Sequence, residues 1–282
     1  TGVQTCALPI SQVVFHAAAY KHVSMAEESV CAAARVNILG TAEVLAALQG
    51  TGARFVLVSS DKAASPRGVM GATKRLAELV TLAGNQSGVT PMVVRFGNVL
   101  ASSGSFVELM IDRIAKGQSV VLTDPNAFRY FMALSEAVAL VMKVALSGRP
   151  GAYWLDMGQQ LHMGAFASRL MAIMEARGAH PVPVEIVGLR PGEKLVEELP
   201  EALAADVPTP HPLICAGDEP RWSGARVVSV LAALRRAVDH EDASGTLRVL
   251  MRTVGGFEPS VQAWGHARTT HRDLRERTAR SA

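Results

Sequence analysis

Cysteine is scarce in this 282-residue sequence, and the three that occur are Cys6, Cys31 and Cys215. They form no CxxC pair and no cluster with other metal-ligating side chains, which argues against a disulfide framework or a zinc site. We therefore expect no metal, and a reducing cytoplasm as the compartment of the chain as given.

Long apolar runs and blocks of one charge are also missing. The best apolar stretch, 137–146, is interrupted by Lys143 and is shorter than the roughly 18 to 20 residues that cross a bilayer. Lysine and arginine number 28 against 25 acidic residues, a net charge of +3, and no basic block is interleaved with aromatics. The sequence thus predicts a soluble chain that does not bind nucleic acid, with the Arg-rich residues 261–282 as a polar tail.

A glycine-rich phosphate loop of the GxxGxxG type is absent, although other features below call for one. Residues 1–10 resemble the in-frame translation of a sequencing-library adapter and are left out of the fold prediction. Our interpretation is that the first strand–helix units lie upstream of Ser11, together with any membrane helices of a parent protein. A fragment without this loop is expected to bind a phosphate-bearing ligand poorly.

Apolar segments of strand character alternate with segments of helical periodicity along the first half of the sequence. Strands are predicted at 13–16, 54–59 and 92–96, and helices at 31–49, 70–83 and 106–116. The alternation is typical of parallel βαβ units. We therefore predict the α/β class: a Rossmann-like, doubly wound parallel sheet over 11–117, incomplete at its start.

A smaller mixed α/β lobe that binds the substrate is predicted for 118–260, interleaved with the first domain. Its expected strands lie at 120–122, 153–157 and 184–187, and its helices at 135–146, 164–176, 226–238 and 243–253.

Polar segments follow the predicted strands, where ligands of such sheets bind. Ser60, Asp61 and Lys62 leave the tip of the second strand together, and Met70 and Lys74 share one face of the next helix. Each signal alone has an ordinary structural explanation: turn and helix-cap chemistry for the SDK segment, and a core position for the methionine.

Taken in order, the motifs resemble the CapD-like polysaccharide-biosynthesis proteins of the extended short-chain dehydrogenase/reductase superfamily. The resemblance runs from Val13 to about Ser260. It is carried by HAAAYKHV (16–23), Asn37-x-x-Gly40-Thr41, VSSDKA (58–63), VMGATKR (69–75), VRFGNVLASSGS (94–105), RYFM (129–132), LRPGEKLVEEL (189–199), PTPHP (208–212) and FEPS (257–260).

That resemblance implies a UDP-N-acetylglucosamine 4,6-dehydratase that uses NAD or NADP and acts on a UDP-N-acetylhexosamine. Such an enzyme oxidises C4, removes the C5 proton, expels the C6 hydroxyl and returns the hydride to C6. The implied roles are Asp61 as acid at O6, Lys62 as base at C5, Ser60 at the 4-hydroxyl and Lys74 at the nicotinamide ribose. As a base, Lys62 needs a lowered pKa, which neighbouring cations and burial are expected to provide.

Met70 departs from the superfamily pattern, because a tyrosine usually stands four residues before the lysine. Methionine takes no proton, so C4 oxidation requires another base, such as Asp61 or a water molecule.

Further contacts implied by the resemblance divide between cofactor and substrate. The cofactor set is Ala17, Ala18, Ala19, Asn37, Ser59 and Lys74. The substrate set is Lys21, His22, Asn98, Ser103, Arg129, Arg190 and Glu193. Arginine suits a diphosphate because its guanidinium makes bidentate, charge-assisted bonds. Plain packing alanines at 17–19, a structural Asn37 and an ordinary RPGEK turn remain the alternatives.

Two other functions stay open. One is a UDP-sugar 4-epimerase or C4 reductase on the same scaffold, and the other is a non-catalytic nucleotide-sugar-binding module in which Met70 marks lost activity. We further expect a homo-oligomer, with membrane contact only through upstream segments that anchor the parent protein at the inner membrane.

Overall fold

A five-stranded sheet lies at the centre of the chain. The computed structural model describes residues 10–100, 102, 104–198 and 209–269. Its strands are β1 (Val13–His16), β2 (Arg54–Val58), β3 (Thr90–Arg95), β4 (Asn98–Val99), β5 (Val120–Leu122), β6 (Phe128–Arg129), β7 (Phe131–Met132), β8 (Gly151–Leu155), β9 (Leu161–His162), β10 (Val184–Ile186) and β11 (Ile214–Gly217). Its helices are α1 (Val23–Glu28), α2 (Val30–Ala34), α3 (Gly40–Ala47), α4 (Val69–Ala83), α5 (Phe106–Ala115), α6 (Leu134–Ser147), α7 (Met163–Ala176), α8 (Gly224–Asp239) and α9 (Ala243–Thr253).

The central sheet has the order β1-β2-β3-β8-β11. The first four strands are parallel, and β11 pairs antiparallel with β8. Because β2 and β3 are covered on both faces, their central residues are apolar, as in Phe55–Leu57, which is almost completely buried. The predicted α/β class and Rossmann-like parallel sheet are confirmed. The antiparallel β11 and the short helix α1 were not predicted.

Helices cover the two faces of the sheet unequally. On one face, α2, α3 and α4 form the larger core with α8 and α9. On the other face α6 packs alone among the described residues. The assignment of 226–238 and 243–253 to the substrate lobe was therefore wrong, since both helices complete the first domain. The separate lobe is smaller: α5 and α7 pack on the two-stranded sheet of β5 and β10.

The predicted polar tail does not begin at residue 261. Residues 261–269 are helical, and Ala263 and Ala267 are fully buried in the larger core. Small side chains at a spacing of four residues lie on one helix face, which lets this helix approach the core closely.

One described helix has the length and apolar composition of a membrane span, contrary to the sequence analysis. It runs through Val30–Ala47 and includes a π-helical turn at Arg35–Leu39. Half of it is buried, and it packs against α4, α8 and α9. These contacts are those of a core helix, which meets the same length and composition criteria.

Candidate active site

The carboxyl ends of β1, β2 and β3 open into a cleft of about 370 Å³. Parallel strands bring the segments that follow them to one edge of the sheet, so residues distant in sequence meet there. Most of the predicted site residues line this cleft, namely Ala17, Ala19, Lys21, His22, Ser59, Ser60, Lys62, Met70, Lys74 and Asn98. Ala18 is exposed and does not line it, and Ser103 lies outside the described residues.

A short 3-10 turn, Asp61–Ala63, holds the proposed catalytic pair at the end of β2. Ser60 caps this turn, since its hydroxyl accepts a hydrogen bond from the Lys62 backbone N–H at 3.3 Å. The Asp61 backbone N–H donates to the Phe96 carbonyl oxygen at 3.1 Å, which ties the turn to the end of β3.

Asp61 lies beneath the floor of the cleft with only 1% of its surface exposed. Its Oδ1 accepts from the Ser60 hydroxyl at 2.8 Å, from the Lys62 backbone N–H at 2.9 Å and from Lys62 Nζ at 3.1 Å. Its buried Oδ2 has no hydrogen-bond partner among the described residues. Asp61 therefore contacts the cleft through Ser60 and Lys62.

The expected lowering of the Lys62 pKa was wrong. Burial acts to lower the pKa, but the carboxylates of Asp61 and Glu197 outweigh burial and raise it above the ordinary value. Lys62 Nζ lies 3.1 Å from Asp61 Oδ1 and 3.3 Å from Glu197 Oε1. Glu197 was not among the predicted residues.

Lys74 has the lowered pKa instead. Burial lowers it to about 8, against the opposing effect of the Glu78 carboxylate. Its Nζ donates to the Val58 carbonyl oxygen at 2.5 Å. His16, at the end of β1, is buried near this lysine, and burial followed by the Lys74 charge lowers the pKa of His16 to about 4.

Ser59 belongs to a buried charge network that sequence reasoning missed. Its hydroxyl donates to Glu78 Oε1 at 2.5 Å. Arg95 binds the same carboxylate through two bonds, of 2.8 and 2.6 Å, and Arg75 and Glu219 extend the network. A charged residue in the otherwise apolar run PMVVRF (91–96) was the available signal, because such residues are buried only when paired.

Asn37 has a structural role and not a position in the cleft. Its Oδ1 accepts from the Tyr20 backbone N–H at 2.7 Å. Its Nδ2 donates to the Tyr20 carbonyl oxygen at 3.3 Å and to the Thr73 hydroxyl at 2.9 Å. The side chain does not line the cleft and joins the loop after β1 to α4.

A second cavity, also of about 370 Å³, adjoins the cleft and shares Asn98 with it. Three of the predicted substrate-binding residues, Arg129, Arg190 and Glu193, line this cavity. Arg129 also fastens the RPGEK loop, because its guanidinium donates to the Lys194 carbonyl oxygen at 2.6 Å and to that of Leu195 at 3.1 Å.

A family model described as "Polysaccharide biosynthesis protein" matches residues 4–217. The chain belongs to this family. Over 190 residues it is 43% identical to the "Probable polysaccharide biosynthesis protein EpsC" of Bacillus subtilis and 42% identical to the capsular polysaccharide biosynthesis protein CapD of Staphylococcus aureus. Each match covers 66% of this chain and 32% of the relative, so the chain spans about a third of their length.

The chain is also similar to an epimerase sequence and to solved structures. A UDP-glucose 4-epimerase of Rickettsia canadensis is 34% identical over 191 residues, covering 66% of this chain and 55% of the relative. The structure of Pen from Bacillus thuringiensis superposes with a TM-score of 0.64 at 32% identity, covering 67% of this chain and 60% of that one. TunA, described as an NAD-dependent NDP-hexosamine 5,6-dehydratase, gives a TM-score of 0.62 at 20% identity, covering 71% of each chain, and supports the fold alone.

Proposed function

We propose that this chain is the catalytic part of an NAD(P)-dependent 4,6-dehydratase that acts on UDP-N-acetylglucosamine in polysaccharide biosynthesis. The observation that carries the proposal is the Asp61–Lys62 pair, with 3.1 Å between Oδ1 and Nζ. Lys62 lines the cleft together with Lys74 and Asn98, and Asp61 lies directly beneath it. A dehydratase needs an acid and a base beside C5 and C6, and an adjoining pair of this type meets that need.

The residues present fit a nicotinamide cofactor at the β1 side of the cleft. Ala17 and Ala19 have small side chains that permit close approach of a ribose and phosphate, and Lys74 Nζ supplies a buried donor. When bound, the cofactor would accept the C4 hydride and return it to C6, and a water molecule would take the O4 proton, because Met70 takes none. The chain's own contribution is to hold the cofactor and to place positive charge near the C4 oxygen.

Lys62 and Asp61 form an ion pair along one hydrogen bond, whereas the reaction requires a neutral amine at Lys62 and a protonated Asp61. Transfer of one proton from Lys62 Nζ to Asp61 Oδ1 leaves a neutral amine and a neutral carboxylic acid. Burial under a bound sugar favours this neutral pair. The amine then takes the C5 proton while the Asp61 acid turns to protonate O6.

The second cavity is proposed to take the UDP moiety. Arg129 and Arg190 provide cationic groups for the diphosphate, and Glu193 can accept hydrogen bonds from ribose hydroxyls. Asn98 lines both cavities and would therefore contact the diphosphate where the sugar joins it.

A UDP-sugar 4-epimerase is the second candidate, favoured by the 34% identity to the Rickettsia epimerase. Epimerisation at C4 needs no base at C5, so it leaves the Asp61–Lys62 pair without a use. Met70 also removes the tyrosine that the superfamily normally employs. These features favour the dehydratase.

Product analysis distinguishes the two reactions. An intact parent protein incubated with UDP-N-acetylglucosamine should give a 4-keto-6-deoxy sugar, detectable by mass spectrometry as loss of water. UDP-N-acetylgalactosamine would instead identify an epimerase. Lys62→Ala should abolish the dehydration, whereas Lys143→Ala, an exposed lysine on α6, should not. Unchanged turnover in Lys62→Ala would disprove the assigned mechanism.

For the whole protein we also propose a homo-oligomer, a cytoplasmic catalytic domain and membrane anchoring through upstream segments. The size of the chain in solution and the membrane fractionation of the parent would test these points.

A further inference from the structure

Glu197 reaches the catalytic turn from the opposite side of the site. It follows the RPGEK loop far along the chain from Lys62, yet its Oε1 lies 3.3 Å from Lys62 Nζ. Its side chain is 2% exposed, so the contact is buried and not a surface ion pair.

Backbone contacts fix Glu197 in this place. Gln160 donates its side-chain amide to the Glu197 carbonyl oxygen, and Val196 forms a parallel bridge with Phe128. Arg129 holds the preceding residues of the loop through their carbonyl oxygens, and its Nε lies 3.9 Å from Glu197 Oε1. The position of the carboxylate is thus set by an arginine that lines the second cavity.

A buried row of alternating charge results, in the order Asp61, Lys62, Glu197, Arg129. One oxygen at each acidic member, Asp61 Oδ2 and Glu197 Oε2, is buried without a hydrogen-bond partner among the described residues. Both carboxylates therefore have spare capacity to accept a bond or a proton. The other charged side chains that line the small space beside Lys62 are those of Arg67 and Lys194.

We propose that Glu197 is a positioning residue that holds Lys62 as an ammonium and links its protonation state to the nucleotide-binding loop. The role in catalysis rests on the proposed function, whereas the contact between Glu197 and Lys62 is independent of it. The negative charge of Glu197 opposes the proton transfer from Lys62 to Asp61. A diphosphate that draws Arg129 and its loop toward the second cavity would move Glu197 with them and free Lys62 to lose its proton.

Trace acylation with acetic anhydride tests this on the 282-residue chain. Only the free amine reacts, and the Lys62 peptide is quantified by mass spectrometry as a function of pH. Glu197→Gln keeps the shape and removes the charge, so the midpoint for Lys62 should fall, with about a tenfold gain in free amine for each pH unit of the fall. Glu198→Gln is the matched control, because Glu198 is adjacent but 62% exposed, and it should leave the midpoint unchanged.

Circular dichroism establishes whether each variant is folded. If Glu197→Gln does not fold, Glu197→Asp withdraws the carboxylate by one methylene and should lower the midpoint part of the way. An unchanged Lys62 midpoint in the folded Glu197 variant overturns the proposal. UDP binding by calorimetry provides the separate test of function: absence of binding by the wild-type chain would contradict the nucleotide site while the Lys62 titration still stands.

Discussion

Gly71 lies directly against the backbone of Lys62. A Cβ added at Gly71 would be 2.5 Å from the Lys62 carbonyl oxygen, closer than real Cβ contacts allow. The first turn of α4 can therefore approach the Asp61–Ala63 turn only because residue 71 has no side chain. This contact sets the distance between the Asp61–Lys62 pair and Lys74, which lies one turn further along α4.

Gly71→Ala adds only one methyl group, but it should displace the Asp61–Ala63 turn and so disturb the active site. The displaced turn should cost about 1–3 kcal/mol of the free energy of unfolding, partly offset by the higher helix propensity of alanine. Urea denaturation measures the loss of stability. Turnover of the parent protein should fall even under conditions where the variant remains fully folded. Gly40→Ala is the control, since its nearest contact would be 3.6 Å away, and it should be neutral or stabilising. Equal effects of the two changes would contradict this account.

The Glu78–Arg95 pair gives stability a definite pH dependence. Burial would raise the pKa of Glu78, but Arg95 and Arg75 together hold it below the ordinary value of 4.5. Because the folded pKa is depressed, the contribution to stability is complete above pH 4.5 and is lost as pH falls through the folded value. The unfolding free energy of the wild type should thus decrease below about pH 4.5.

Glu78→Gln should remove that acid-dependent loss and cost about 1–3 kcal/mol at neutral pH, because buried Arg95 loses its charge-assisted bonds to Glu78 and keeps only the Glu219 carboxylate, at 2.7 Å. Glu43→Gln is the control: this exposed residue pairs with Arg235 at 3.5 Å, and its loss should change stability by less than about 0.5 kcal/mol. Urea titrations at several pH values provide the comparison. A Glu78→Gln protein as stable as the wild type at neutral pH would disprove the stabilising role.

The pattern of apolar and polar residues was sufficient to predict most of the sheet and the position of the cleft. The apolar runs at β1, β2 and β3 show strand character without tertiary information, and parallel pairing then brings Ser60, Lys74 and Asn98 to one edge. What pattern could not provide was contact between segments distant in sequence. Glu197 occupies an ordinary position in LVEEL, and only folding places it beside Lys62.

The error about Lys62 has the same origin. Sequence shows the neighbouring Asp61 but not the second carboxylate, so neighbouring cations and burial were expected to lower the pKa of Lys62. The strand β11 was missed because it has only four residues, and the helix at 261–269 was missed because polar residues separate its few apolar ones. Their burial comes from Trp154 and from the larger core that receives them.

Ser260 joins the C-terminal helix to the active-site helix α4 through Glu27. The Ser260 hydroxyl donates to Glu27 Oε2 at 2.6 Å, and Glu27 Oε1 accepts from the Val69 backbone N–H at 2.6 Å. Ser260→Ala should cost about 1–3 kcal/mol, because a buried carboxylate oxygen loses its donor. Thermal unfolding should show this, with Ser168→Ala on the exposed face of α7 as a near-neutral control. A neutral Ser260→Ala would mean that water replaces the hydroxyl.

Lys74 should reduce the stability of the fold while serving function. Its pKa falls from 10.5 to about 8 on folding because burial disfavours the ammonium. The folded state therefore binds the proton less well than the unfolded state. The resulting loss of unfolding free energy is absent above pH 10.5, grows as the pH falls to about 8, and is constant below pH 8. The shift corresponds to about 3 kcal/mol, against about 1 kcal/mol for the bond to Val58 that a replacement loses. Lys74→Met should therefore be more stable than the wild type at pH 7 by about 2 kcal/mol in urea denaturation, and lose this advantage near pH 10.5.

Lys143→Met is the control and should show no such pH dependence. NAD(P) binding by the parent protein should be lost only in Lys74→Met. A Lys74→Met protein that is destabilised equally at both pH values would show that Lys74 is accommodated at no electrostatic cost.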